Sequence, residues 1–203
     1  MSTAKDLFVI ALDPKAERPV GQGDLSLALA GAELIDLIAA RTVTLDGDRI
    51  VPGGTGAPPD RLLAEAASAL VRHTPYERVE DWLWRRGHDL AAAYQASLEE
   101  DGQLVRTRAG RSPFGADRVE PADTPDLRRA LDRRARNEPV LAVLAAAVGL
   151  DDAPPEAAPG ADPGDEAVTT VLAVVHDAVM ELEAVRQRRS IEKAAFANVW
   201  RAP

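Results

Sequence analysis

The stretch Leu25 to Val51, LSLALAGAELIDLIAARTVTLDGDRIV, constrains this chain more than any other. Its first part, residues 25–40, is apolar around most of a helical wheel. Leu25, Ala28, Leu29, Ala32 and Ala39 make one face, and Leu27, Leu34 and Ile38 continue it. Ser26, Glu33 and Asp36 fall on one stripe, too narrow to offer water much polar surface. Such a helix belongs at the centre of a fold. Its second part places Val43-Thr44-Leu45 and Arg49-Ile50-Val51 around Asp46-Gly47-Asp48. Asp-Gly tolerates the positive φ of a tight turn, so this half predicts a β-hairpin.

The flanking segments predict helices that could pack on such a centre. Thr3-Ala-Lys-Asp6 reads as a capping box opening a short helix over Leu7–Leu12. A Pro/Gly-rich loop, 15–23, follows, with Asp24 as the expected N-cap of the central helix. Asp60 caps a helix to about Arg72. Thr74-Pro75-Tyr76-Glu77 reads as a second capping box, opening a helix with Val79, Trp82 and Leu83 inward that Gly87 ends. Trp82 is read as core and Trp84 as facing outward. Asp89 caps a helix over 90–101, with Gly102 just past its end. Two short strands, 103–108 and 117–120, enclose a long loop. Helices at 126–136 and 139–148 come next, then a long amphipathic helix over 166–189 with Val171, Leu172, Val175 and Val179 inward. The fold class is mainly α: a buried central helix, amphipathic helices around it, and one or two small β-hairpins. One domain over 1–203 is expected, with residues 151–165 (DDAPPEAAPGADPGD) as a flexible acidic Pro/Ala-rich linker.

Composition narrows the function. Net charge is −9 and the pI about 4.9, a poor balance for a nucleic-acid binder. The helix 90–101 and the arginine-bearing hairpin after it imitate a winged helix. Gln95, Glu99, Glu100 and Asp101 would repel DNA there. No cysteine is present, which removes disulfides and thiolate chemistry. His73, His88 and His176 lack metal-ligand spacing, so no metal and no cofactor is expected. Ser190-Ile-Glu-Lys193 fits S-x-x-K without its partner motifs, and no P-loop, nucleophile elbow or GxGxxG occurs. No catalytic residue is assigned. No apolar run reaches the ~20 residues that cross a bilayer, and the first twenty residues lack a signal peptide's pattern. Three lysines against many arginines and alanines read as a GC-rich bacterial coding bias.

Three elements in register carry a family resemblance. Ala28-Leu-Ala-Gly31-Ala-Glu-Leu34-Ile35-Asp36-Leu37-Ile-Ala-Ala-Arg41 is similar to a run GLRGxxLIELALRGR. Val79-Glu-Asp-Trp82-Leu83 lies in a proline-started helix, and Leu98-Glu-Glu-Asp-Gly102-Gln-Leu104 precedes a hairpin. Together, over about residues 3–150, they resemble the Golgi phosphoprotein 3 family, peripheral membrane proteins that recognise phosphatidylinositol 4-phosphate. The resemblance implies a non-enzymatic, cytoplasmic adaptor, peripheral at the inner face of the membrane. Its partners would be an anionic lipid, a protein, or a second copy. In the family a tryptophan and several arginines hold the lipid phosphates. Register carries those positions to Gly21, Ala30, His88 and Ala91, none of which keeps the required residue. A displaced headgroup site would draw on Arg18, Arg85, Arg86 and His88. The family's hairpin, which helps self-association and touches membranes, corresponds to residues 104–119. Phe114 lies near its tip among Arg106, Arg108, Arg111 and Arg118, and an aromatic among arginines suits an anionic surface. The alternative reading is a soluble protein-interaction module of the same fold that has lost lipid binding.

Overall fold

The computed structural model describes residues 2–12, 20–54, 58, 60–108, 117–150 and 166–199, with side chains omitted at 107, 108, 117, 118 and 194–199. The described residues form eight helices and two antiparallel two-stranded sheets. The order is α1 (Thr3–Ala11), α2 (Gln22–Ala39), β1 (Val43–Asp46), β2 (Arg49–Pro52), α3 (Arg61–Ser68), α4 (Val79–Arg86) and α5 (Leu90–Glu100). Then come β3 (Leu104–Arg108), β4 (Asp117–Pro121), α6 (Pro125–Ala135), α7 (Pro139–Ala147) and α8 (Glu166–Val199). The mainly α class holds.

The central helix is α2, and it packs against α1, α3, α4, α5, α7 and α8. Its residues from Leu25 to Ile35 are all buried. Gly31 is what lets α8 approach so closely. A Cβ there would overlap Val175 Cγ2. The narrow polar stripe is turned the opposite way from the expectation, since Ser26 and Glu33 face inward and are buried. They can do so because each meets a hydrogen-bonding partner from a neighbouring helix. Ala39 lies past the packed region and is exposed.

Several helix starts differ from the sequence reading. Ser2, not Thr3, caps α1 and accepts from Lys5 N at 3.2 Å. α2 starts at Gln22, so Asp24 sits in its first turn, where a carboxylate suits the helix dipole. The box at 74–77 opens no helix, because residues 77–79 run along the β1–β2 hairpin instead. Ile50 N donates to Glu77 O and Val79 N to Asp48 O, each at 2.8 Å. The helix then starts at Val79. Asp60 caps α3 and Thr124 caps α6, each through its side chain. α3 stops at Ser68 rather than near Arg72. Asp89 precedes α5 in a left-handed conformation without a side-chain cap bond. The hairpins pair as Asp46 with Arg49 and Arg108 with Asp117 at their turn ends. The C-terminal segment is one helix: α8 continues unbroken to Val199.

Candidate headgroup site

The polar stripe of α2 anchors the interior. Glu33 is 0% exposed. It accepts from Arg86 Nε at 2.8 Å and Nη2 at 2.9 Å, and from the Tyr94 hydroxyl at 3.1 Å. Arg86 Nη2 also donates to the Leu62 carbonyl at 3.3 Å. A guanidinium fork on a carboxylate is the strongest pairing available to two side chains, and here the carboxylate is wholly buried and the guanidinium largely so. Burial pushes the Glu33 carboxyl up, against the pull of Arg86 and Tyr94. Burial and the facing Glu33 push the Tyr94 phenol far above its ordinary value.

The candidate cations around the end of α4 go to separate partners. Arg86 turns into the core onto Glu33. Arg85 turns back onto Glu77 through Nε at 2.6 Å and Nη2 at 2.7 Å, and donates to Ala69 O at 3.1 Å. Its guanidinium also lies 5.3 Å above the Trp82 ring. That ring is buried, and its Nε1 donates to Ala30 O at 3.1 Å. His88 stands in the turn between α4 and α5, 82% exposed, with Nδ1 3.1 Å from the Asp89 carboxylate. Trp84 is partly exposed on the outer side of α4, as its spacing from Trp82 predicts. Arg106 lies exposed on β3 against Glu99, at 2.8 Å. Arg108 ends β3, and its side chain is not among those described. Arg18, Arg111 and Phe114 lie outside the described residues, as do 151–165.

Two of the positions carried over from the resemblance, Ala30 and Ala91, lie where α4 and α5 pack on α2. Ser26 Oγ accepts from Ala91 N at 3.0 Å, drawing the start of α5 onto α2. Gly87 packs on the Ser26 carbonyl. Yet Ala30 and Ala91 are buried packing residues. Gly21 caps α2 without a side chain and adjoins Asp24 and Arg186. Arg186 donates to Asp24 at 2.7 Å. The sequence reading ends this helix at residue 189, which puts Arg186 in its last turn. It is in mid-helix, and only the packing of α8 on α2 reveals its partner 162 residues away. A cleft lined by Asp48, Glu80, Asp177 and Glu181 beside Arg78 is acidic. It would repel a phosphate.

A family model described as Golgi phosphoprotein 3 (GPP34) matches residues 4–191. The chain belongs to this family. The GPP34 match runs past 151–165 and into α8, further than the resemblance read from the sequence, which stopped near Leu150. A search of curated proteins returned no match. Among the described residues no helix is long and apolar enough to cross a membrane, and no group of three or more His, Cys, Asp or Glu could hold a metal ion.

Proposed function

We propose that this GPP34 chain is a non-enzymatic peripheral adaptor that meets anionic lipid surfaces through general electrostatics, not through a built phosphoinositide pocket. One observation carries the reading. The cations nearest the family's headgroup position are already committed, Arg86 to buried Glu33 and Arg85 to Glu77. Releasing Arg86 for a phosphate would strand a buried carboxylate, at a cost of several kcal/mol. What supports a surface contact is the exposed, interfacial kind of side chain: Trp84 on α4, and Val105 beside Arg106 on β3. Family membership adds the expectation of a membrane-facing adaptor in the cytoplasm.

A second reading is favoured by charge. At net −9, with Arg86, Arg133 and Arg186 held in ion pairs, the chain suits a soluble module whose partner is a protein. Liposome co-sedimentation separates the two. Neutral vesicles, vesicles with generic anionic lipid and vesicles with phosphatidylinositol 4-phosphate are compared at low and physiological salt. Salt-sensitive binding to both anionic kinds is the expected result, because exposed contacts are screened. Selective binding to the phosphoinositide would replace this reading with a specific site. Absence of binding at either salt would leave the protein-partner module.

A further inference from the structure

α8 has two faces with different fates. Val171, Val175, Ala178 and Val179 are buried against the body. The opposite line of the helix is Ala173, Asp177, Met180, Ala184, Gln187 and Ile191, and all six are exposed. Their spacing alternates four and three residues, the repeat by which one helix presents a seam to another. Met180 and Ile191 are the two most exposed large apolar side chains among the described residues, at 58% and 68%. From Gln187 to Lys193 every residue is exposed, so the helix there has left the body that supports it. A helical stretch in water draws most of its stability from packing, which no described residue of the chain gives this stretch.

Charge says what would cover it. Along the exposed surface of α8, Asp177, Glu181 and Glu183 precede Ala184, and Arg188, Arg189 and Lys193 follow it, with Glu192 the one acid among them. The sign reverses part-way along the helix. A second copy laid antiparallel sets each acidic half on a basic half, whereas a parallel copy sets like on like. Within the chain neither Glu181 nor Arg188 forms an ion pair with a described residue. Arg188 Nε reaches only the Ala184 carbonyl of its own helix, at 3.4 Å.

One register pairs the four seam residues from Met180 to Ile191 with one another. Centring the two-fold between Val185 and Arg186 puts Met180 against Ile191 of the partner subunit and Ala184 against Gln187 of the partner subunit. Glu181 then comes within reach of Arg188 of the partner subunit. By symmetry each contact occurs twice. We propose that the outward face of α8 is a two-fold, antiparallel interface between two copies of this chain. It is a separate surface from the β3–β4 hairpin and does not depend on lipid binding.

The chain has no cysteine, so the register can be tested by cross-linking the full-length protein. Met180→Cys and Ile191→Cys in one chain lie eleven residues apart, about 16 Å along a helix, and cannot bridge within it. Mild oxidation of that double variant should give a covalent species of about twice 21.6 kDa. Either single variant should stay uncross-linked, since residue 180 does not face residue 180 of its partner in this register. In sedimentation equilibrium the wild type should show a monomer–dimer equilibrium. Glu181→Arg alone or Arg188→Glu alone should weaken it by about tenfold or more. The two together should restore it, because both ion pairs return with signs exchanged. A wild type that stays monomeric at hundreds of micromolar overturns the proposal. So does a dimer indifferent to the charge reversals, or single-cysteine variants that cross-link as well as the double. The substituted side chains are exposed, so circular dichroism of each variant should match the wild type.

Discussion

α2 and α8, the two longest helices, treat their charges in opposite ways. Three polar groups of α2, Ser26, Glu33 and Asp36, are set among its neighbours, and each has a partner. Ser26 takes Ala91 N, Glu33 takes Arg86 and Tyr94, and Asp36 accepts from Ala4 N at 3.3 Å. The charges of α8 point mostly outward. Arg186 alone among its exposed-side cations reaches back to α2, at Asp24. In a buried helix a charge is part of the scaffold, because its loss leaves an unpaired partner in low dielectric. On an overhanging helix the same residue types remain available for a partner. A count of arginines in the sequence does not separate these cases, and the packing does.

The comparison breaks most visibly at Glu33. Glu33→Ala leaves Arg86 and the Tyr94 hydroxyl without their acceptor inside the protein. The expected loss is about 3–5 kcal/mol, read by urea denaturation. Replacing both ions, as Glu33→Leu with Arg86→Met, should cost much less than Glu33→Ala, because no charge is then stranded. A double variant as unstable as the single would show that the ion pair itself, not its integrity, holds α2 to α4. The same pair of variants bears on lipid binding. If Arg86 is structural, the double variant keeps whatever vesicle binding the wild type has.

A smaller effect is expected where α2 and α8 touch. Gly31→Ala would drive a methyl into Val175 Cγ2, a branched side chain held between helices. Overpacking of this kind costs about 1–3 kcal/mol. Val175→Ala should relieve part of that cost when combined with Gly31→Ala, a non-additivity that thermal unfolding of the four-member cycle would measure. Additive losses would mean that the two helices are less closely fitted at this point than the contact implies.

Much of this architecture was legible because local chemistry and packing agree. The apolar run of α2 permits only burial. Asp46-Gly47 permits a tight hairpin, and Gly47 indeed has φ +59°. Asp60 and Thr124 cap the helices that follow them. The failures have a common cause. The box at 74–77 was overridden when residues 77–79 bonded to the hairpin, a contact with residues about thirty positions earlier. Arg85 and Arg86 look alike in sequence, as last-turn cations. Their fates depend on Glu77 and on Glu33, and the second lies 53 positions away. The one available signal was Glu33 itself. A carboxylate in so apolar a helix requires a cation from elsewhere. The family's headgroup positions were placed by register, and their small residues prove to be packing residues at Ala30 and Ala91.

The smallest expected effect is a pH dependence that sets interior acids against surface acids. Burial raises the carboxyl of Asp36, opposed mainly by hydrogen bonds from Thr3 and Ala4, and it raises Asp6 against the pull of Arg133. A carboxyl whose folded value is raised favours the folded state when protonated. Its contribution is fully present below its unfolded value and is lost as pH rises through the folded one. Asp48 and Glu99 go the other way. Arg78 lowers Asp48, and Gln95 with Arg106 lowers Glu99, so their contributions are lost as pH falls. Those two are at the surface, where pairing is worth little and salt screens it. From pH 7 towards pH 5 the interior groups should therefore dominate, and the urea midpoint should rise slightly. Asp36→Asn should flatten that rise, because an amide does not titrate. A midpoint that falls steadily over the same range, unchanged in slope by Asp36→Asn, would show that the surface pairs, not the lining of α2, set the acid response.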